Sequence, residues 1–481
     1  MEKTLIINPP SPFLLDEKVF PNLAPLFVAS AMLRDGYNVE ILDLSGRKDY
    51  KEEIGKRALE YDVFAFTGTS SQLPFNLEIL GELKRINPSS FSVIGGPHAS
   101  VVSSLRRKMK SQFGEGPDLE KKLLEYDPNF SPLEKFDLII DGEGEVAYKE
   151  IFRGGEKWRE GGIVHDLNSF PIPDRGLINF ENYHYEIDGL KATSIITQRG
   201  CPFTCYFCSG RDTDIYRKIR LDGFLRVNSP ERVLEEMDYL HENFGIEAFM
   251  WYDDEINLHN EKIKDLTKLL QKRPYKHRGF IKSELFVRWP EQAELLKKAG
   301  FVELCTGAES GSNEILKKFV RKHTTRETNK EAVKLAQKNG MRFKAFTIIG
   351  HPYEKYEDVM LTKDWILEAH PDDFDVTIHQ PYPGAPAYDN AVKNNQIEGY
   401  EWAYEGGLFF NKTDYSKHTT FYKGVPGEYV STVRTPSLSA KEIVKLREEI
   451  DFELREKFKL KQNKRPDEIS YGGQLKKKFQ Q

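Results

Sequence analysis

The chain has 481 residues, 39% of them hydrophobic and 12% aromatic, with a net charge of −5. That length suggests about three domains with globular cores, and the negative balance argues against broad electrostatic capture of nucleic acid. No apolar run of about 18 residues occurs, so no transmembrane helix is expected, and no apolar signal segment opens the chain.

Residues 1–153 read as alternating strands and helices. Strands are expected at 4–8, 37–42, 62–67, from 91 onward and at 136–140, with helices at 23–34 and 75–86. Asp35-Gly36 closes the first helix, where glycine suits a C-terminal cap. Such alternation implies a doubly wound parallel sheet, whose ligands bind beyond the carboxyl ends of the strands. Those ends carry Asn8, then Thr67, Gly68, Thr69 and Ser70, then Gly95, Gly96, Pro97 and His98, then Gly142, Glu143 and Gly144. They are small, glycine-rich and polar, which any such domain needs for close backbone approach. Residues 101–135 form a longer and more charged segment than an ordinary connection.

Residues 154–190 read as a linker, and from 191 to 395 the pattern resets into regular β-α units. Strands are expected at 192–197, 246–252, 278–283, 301–306, 342–349 and 375–379, and several intervening helices end at glycine (Gly245, Gly300, Gly340). After the first strand comes Arg199-Gly-Cys-Pro-Phe-Thr-Cys-Tyr-Phe-Cys-Ser-Gly210, with Cys201, Cys205 and Cys208 in C-x3-C-x2-C spacing. Three thiolates within eight residues can converge on one inorganic centre. Structural zinc closes its tetrahedron with four protein ligands, and the nearest histidines, His184 and His241, are not at finger-like spacing. A disulfide framework belongs to short secreted chains with an even cysteine count. An iron–sulfur cluster usually takes four cysteines, so three leave one iron open. The remaining cysteine, Cys305, falls inside the fourth strand and reads as a buried small hydrophobe.

Residues 396–481 form an extension. Its aromatics Tyr400, Trp402, Tyr404, Phe409, Phe410 and Tyr422 either cover the mouth of the second unit or pack against its outside. Ser439-Ala-Lys-Glu442 reads as a capping box, followed by an apolar helical stripe at Ile443, Leu446, Ile450, Leu454 and Phe458 that suits intramolecular packing. A basic tail (Lys457, Lys459, Lys461, Lys464, Arg465, Lys476 to Lys478) reads as a solvated terminus.

The cysteine run, with Phe207 just before its third cysteine, resembles the signature of the radical S-adenosylmethionine (SAM) superfamily. The N-terminal pieces Ile-Asn-Pro-Pro, Ala-Ser-Ala-Met-Leu-Arg-Asp-Gly-Tyr-Asn-Val, Ile-Gly-Gly-Pro-His-Ala and Gly-Glu-Gly-Glu resemble the cobalamin-binding domain fused in front of many members. The resemblance implies an α/β chain: a Rossmann-like B12-binding domain over 1–153, a partial (β/α)6 radical SAM barrel over 191–395 and a small, mostly helical extension. It implies that Cys201, Cys205 and Cys208 hold a [4Fe–4S] cluster. Asp253, Asp254 and Glu255 after the second strand would accept from the SAM amino group, or else merely open a helix with favourable charge. Glu309 would meet the ribose hydroxyls with Ser310 beside it, and Arg321 or Lys322 the carboxylate, unless both are solvated. Ile348-Ile-Gly-His-Pro352 stands where the family usually has Gly-Leu-Pro-Gly, so Ile349 lies on the adenine side and His351 replaces a leucine. Tyr382 belongs to Gln380-Pro-Tyr-Pro-Gly-Ala-Pro386, which resembles the Pro-Tyr-Pro-Gly-Thr-Pro of cobalamin-type members. The polar strand ends from Asn8 to Gly144 would hold cobalamin. No histidine follows an aspartate at the D-x-H-x-x-G spacing, so cobalt is expected without a protein histidine; His98 is the alternative ligand, though its place after Gly-Gly-Pro suits a loop at the pocket rim.

The implied activity is a cobalamin-dependent methyl transfer to an unactivated carbon or phosphinate phosphorus through a 5′-deoxyadenosyl radical. Ring formation or rearrangement without methyl transfer is the first alternative, and a non-catalytic metal-binding or regulatory protein the second. A small-molecule substrate, an external flavodoxin- or ferredoxin-type electron donor and no nucleic acid are the expected partners. Sparse cysteine suits a reducing cytoplasm, and the inventory leaves no second three-cysteine cluster.

Overall fold

The computed structural model describes residues 2–11, 14, 16–114, 118–210, 213, 225–417 and 429–460. Tyr422 and the basic tail beyond Leu460 lie outside them. Strands β1 (Lys3–Asn8), β2 (Asn38–Asp43), β3 (Val63–Phe66), β4 (Phe91–Ile94), β5 (Leu138–Asp141) and β6 (Trp158–Glu160) form one sheet in the order β2-β1-β3-β4-β5-β6. Every pair in it is parallel. The order reverses between β1 and β3, the switch point where such sheets open a crevice. The charged segment after β4 resolves into helices Gly96–Phe113, Leu119–Tyr126 and Phe130–Leu133. Val101, Val102, Leu105 and Met109 are buried on the first of these, leaving its charges on the opposite face. Residues 154–190 are more than a tether, because β6 extends the first sheet. Three residues are too few for a strand's periodicity to register in the sequence.

A second sheet runs β15-β14-β13-β12-β11-β8-β7. Strands β8 (Leu190–Ile195), β11 (Ala248–Trp251), β12 (Lys276–Phe280), β13 (Phe301–Glu309), β14 (Arg342–Ile349) and β15 (Asp373–Ile378) are parallel, with β7 (Glu186–Ile187) antiparallel at the edge. This is the expected (β/α)6 arrangement. β9 (Gln198–Arg199) and β10 (Arg226–Val227) pair as a short ribbon above the mouth of this barrel.

The extension adds a small antiparallel sheet, β16 (Val392–Lys393), β17 (Trp402–Tyr404), β18 (Leu408–Phe410) and β19 (Val433–Arg434), and the helix Ala440–Phe458. Ser439 and Glu442 form the capping box. Ile443, Leu446, Ile450 and Leu454 are buried, and Phe458 stacks on His370 at 4.3 Å. Arg447 Nε donates to Val376 O at 3.0 Å and Arg455 Nη2 to Phe374 O at 2.9 Å. Those arginines cover the carbonyls of edge strand β15, which would otherwise invite pairing with another chain.

Trp402, Tyr404, Phe409 and Phe410 are buried. Trp402 meets Tyr126 of the first domain edge-on at 5.0 Å, while Tyr404 stacks on Tyr206 of the cysteine loop at 5.7 Å. Lys412 Nζ lies 3.4 Å from the Tyr126 ring centroid and 3.9 Å from that of Trp402. Asn129 donates to Thr413 O and accepts from Tyr415 N, both at 3.0 Å. Gly384, in the turn after β15, is the tightest joint. With φ +80°, a Cβ there would lie 2.6 Å from Val101 Cγ1 and 3.0 Å from Gly210 N. Gly384→Ala is therefore expected to strain the backbone and push helix Gly96–Phe113 off the barrel, costing about 1–3 kcal/mol. A lowered unfolding midpoint checks this; an unchanged one shows that the joint yields.

Candidate functional site

Between the carboxyl ends of the first sheet and the barrel mouth lies a cavity of about 800 Å³. Asn8, Thr67, Thr69, Gly95, Gly96, Pro97, Gly142, Glu143 and Gly144 line it from the first domain. Gln198, Arg199, Gly200, Ser209, Gly210, Arg226, Tyr252 and Asp254 line it from the barrel. The strand-end loops and the two ends of the cysteine loop, at Gly200 and at Ser209 and Gly210, thus face one chamber, whose lining does not include the three cysteines themselves. Gly96, at φ +86°, has a role other than leaving room for a ligand. A Cβ there would stand 2.7 Å from Thr67 Oγ1, so this glycine lets two of the first domain's own loops pack together.

Gly68, Ser70 and His98 are not among the lining residues. His98 is not a loop residue at the rim but is buried in the first turn of helix Gly96–Phe113. Its Nδ1 is 2.9 Å from Ser70 Oγ, and its ring meets Tyr415 edge-on at 6.2 Å. Burial pulls its pKa down to about 4, so it is neutral. The helix begins directly at Gly96, which turns the histidine inward. No histidine lines the cavity among the described residues.

Glu143 also departs from expectation. Its Oε2 accepts from Arg226 Nη1 and from Val164 N, both at 2.5 Å, while Arg199 pairs with Glu143 and with Glu145. The Gly-Glu-Gly-Glu loop is therefore clamped by two arginines of the β9–β10 ribbon, and this ionic joint closes one wall of the chamber.

In the cysteine loop Cys201 and Cys205 are buried and Cys208 is half-buried, with no disulfide. Cys208 N donates to Cys205 O at 3.2 Å, a turn that draws the second and third cysteines together. Burial pushes the Cys205 thiol up to about 12, opposed by the Lys322 ammonium and reinforced by the neighbouring Glu309, Cys208 and Cys201. Among the described residues no three His, Cys, Asp or Glu side chains are arranged around a single ion.

At the strand ends the sequence-predicted carboxylates take different roles. Asp253 is a clamp: it accepts from Thr197 N at 2.6 Å and Gln198 N at 3.0 Å, and its other oxygen from Thr197 Oγ1 at 2.5 Å. Half-buried Lys262 completes this knot through Thr197 Oγ1 and Gln198 Oε1, and desolvation lowers its pKa to about 8. Asp253 thus pins the entry to the cysteine loop instead of offering a free acceptor. Glu255 and Glu309 instead converge on Lys322 Nζ, at 3.7 Å and 3.0 Å. Glu255 Oε2 is buried with no hydrogen-bond partner among the described residues. Lys282, absent from the sequence-based set, reaches Lys322 O and sits 4.5 Å from the Phe203 ring centroid in the cysteine loop. Its place at the end of β12 was the one signal that could have marked it.

Arg321 is a correction. The helix before it ends in a π-turn that puts Arg321 at φ 54°, so its guanidinium leaves the mouth and pairs with Glu405 at 3.1 Å. Its neighbour Lys322 turns inward in its place. Ser310 is fully buried and serves its own loop, with its hydroxyl accepting from Ser312 N. Tyr382 stacks on Tyr415 of the extension at 5.8 Å. Ile349 is fully buried at the end of β14, and Phe207 is partly buried against Tyr206.

Tyr206 OH lies 2.7 Å from His351 Nδ1, and Glu354 accepts from Gly350 N and His351 N. Burial raises the Glu354 pKa to about 8 and lowers those of His351 and His379 to about 4 and 3. The folded chain therefore keeps a proton on Glu354 that the unfolded chain releases near the ordinary value of 4.5, and stability falls as pH rises toward 8. The histidines act with opposite sign and only below the ordinary imidazole value of 6.5. Glu354→Gln is expected to remove about 1–2 kcal/mol of the stability change between pH 6.5 and 8. Denaturant unfolding at both pH values tests this; parallel curves for both proteins would contradict it.

Comparison with known proteins follows the same division of the chain. The radical SAM superfamily matches residues 195–366, and the B12 binding domain residues 19–124. An uncharacterized methyltransferase of Pyrococcus horikoshii is 26% identical over 424 residues, covering 83% of this chain and 85% of that protein. The anaerobic magnesium-protoporphyrin IX monomethyl ester cyclase of Cereibacter sphaeroides is 25% identical over 374 residues, 72% of this chain and 55% of that one. Among solved structures, the radical S-adenosylmethionine methyltransferase TsrM of Kitasatospora setae, with tryptophan and a SAM analogue bound, aligns with a TM-score of 0.58. That match is 20% identical and covers 86% of this chain and 79% of TsrM. Among the described residues no helix is long and apolar enough to cross a membrane.

Proposed function

We propose, from the premise that this chain belongs to the radical SAM superfamily in the branch that carries a B12 binding domain, that it is a cobalamin-dependent radical SAM methyltransferase. One observation carries this reading: the strand-end loops of the first domain and the ends of the cysteine loop line a single chamber. When bound, the [4Fe–4S] cluster, SAM and cobalamin supply one-electron chemistry and carriage of a methyl group; the protein supplies binding, orientation and exclusion of water. Cys201, Cys205 and Cys208 would hold the cluster. Glu255, whose Oε2 lacks a partner among the described residues, and Glu309 would accept from the cationic amine and ribose hydroxyls of SAM, with Lys322 toward its carboxylate. Asn8, Thr67, Thr69, Gly95, Pro97 and Gly142 would face the corrin. The absence of histidine from the described lining favours cobalt without a protein histidine. The substrate would be a small molecule, since the chamber's size lies within the range of small-molecule sites. A flavodoxin- or ferredoxin-type donor would deliver the electron in the cytoplasm, which cysteines free of disulfides suit.

Similarity to the cyclase favours a second reading on the same cofactors, ring formation without methyl transfer. Product mass after anaerobic turnover separates the two: a gain of one methyl group supports the first reading, and none supports the second. Failure of the folded chain to retain cobalamin would remove both.

A further inference from the structure

Glu17 has an unused hydrogen-bonding atom inside the chamber. It follows β1, close to the β1/β3 switch point, is 6% exposed and lines the inter-domain cavity. Its Oε2 accepts from Ser11 N at 2.6 Å and from Gly46 N at 2.8 Å, so that oxygen ties together the loops after β1 and β2. The other oxygen, Oε1, is buried with no hydrogen-bond partner among the described residues. No described cation forms an ion pair with it, although the Lys18 ammonium bears on it electrostatically. The adjacent Lys18 is engaged elsewhere, 3.3 Å from Asp43 Oδ2 and 4.7 Å from the Tyr183 ring centroid.

Joining the two loops needs only one carbonyl-type oxygen, which a glutamine would provide without the desolvation of a carboxylate. A buried acceptor left unpaired is unfavourable, so the second oxygen calls for a donor supplied by the occupant of the chamber. Glu17 belongs to the first-domain side, beside the crevice where a doubly wound sheet receives its ligand. A corrin carries primary amides around its rim, and these are N–H donors. We propose that Glu17 is a binding residue of the chamber that accepts a hydrogen bond from one of those peripheral amides. This rests on the cobalamin reading above.

Glu17→Gln tests it sharply. The amide oxygen must keep facing Ser11 N and Gly46 N, so the new NH2 is forced toward the chamber, where donor would meet donor. Full-length apoprotein is titrated with hydroxocobalamin and binding is followed by absorbance and calorimetry. The expected result is affinity weakened about 10- to 100-fold, the range for a hydrogen bond to a charged group, with an unchanged unfolding midpoint. A cobalamin monocarboxylate, with one rim amide hydrolysed, supplies the reciprocal arm. The isomer altered at the contacted amide should bind the wild type worse than cobalamin does, and the Glu17→Gln protein better. Equal affinity of both proteins for hydroxocobalamin would overturn the assignment of Glu17 while leaving the cofactor reading intact. A wild type that binds no cobalamin would instead overturn that reading and this inference with it.

Discussion

Replacing any one of Cys201, Cys205 or Cys208 with alanine is expected to abolish reductive cleavage of SAM and to strip iron from the anaerobically reconstituted protein, whereas Cys305→Ala leaves both intact. The contrast follows from position. The first three share one loop at the barrel mouth, close enough for Cys201 and Cys208 to bear on the Cys205 thiol. Cys305 is fully buried within β13, its sulfur 3.8 Å from Glu303 Oε1. Truncating that small side chain removes about one methylene's worth of packing, roughly 1 kcal/mol, too little to unfold the barrel. Iron content, the electron paramagnetic resonance signal of the reduced cluster, and release of 5′-deoxyadenosine measure the outcome. Equal loss in all four variants would reject the assignment.

Disrupting the buried charge cluster at the strand ends is expected to have the next largest effect, and to divide by residue. Lys322 is the shared cation of Glu309 and Glu255, and all three are buried. Lys322→Met would leave two desolvated carboxylates facing each other. Removing one partner of a buried pair costs about 3–5 kcal/mol, and one of the two acids would take up a proton. A large fall in the unfolding midpoint is expected. Glu309→Ala is milder for the fold, because Glu255 still faces the ammonium, but harsher for the ligand. Losing a charge-assisted hydrogen bond of about 1.5–3 kcal/mol should weaken SAM binding about 10- to 100-fold, with iron content unchanged. Calorimetric titration of the reconstituted protein with SAM decides it; unchanged affinity would remove Glu309 from the site.

Local properties of the chain were legible in its sequence because they depend on near neighbours. Alternating β and α patterns placed every strand of the two main sheets except the three-residue β6 and the two-residue edge strand β7. The C-x3-C-x2-C spacing within one loop, the capping box at Ser439 and the apolar stripe from Ile443 to Phe458 belong to the same kind of signal. What each polar side chain does at the strand ends was decided by tertiary structure. Asp253 and Asp254 are adjacent, yet one is locked onto Thr197 and Gln198, 56 and 55 residues away, while the other lines the chamber. Arg321 and Lys322 are equally basic, and a single π-turn sends the first outward and the second into the cluster. Glu143 meets an arginine 83 residues away on a ribbon of the other domain. His98 turns inward because a helix starts at Gly96. In each case the direction of a side chain follows from backbone dihedrals and its partner comes from a distant segment, and neither is written in the residues beside it.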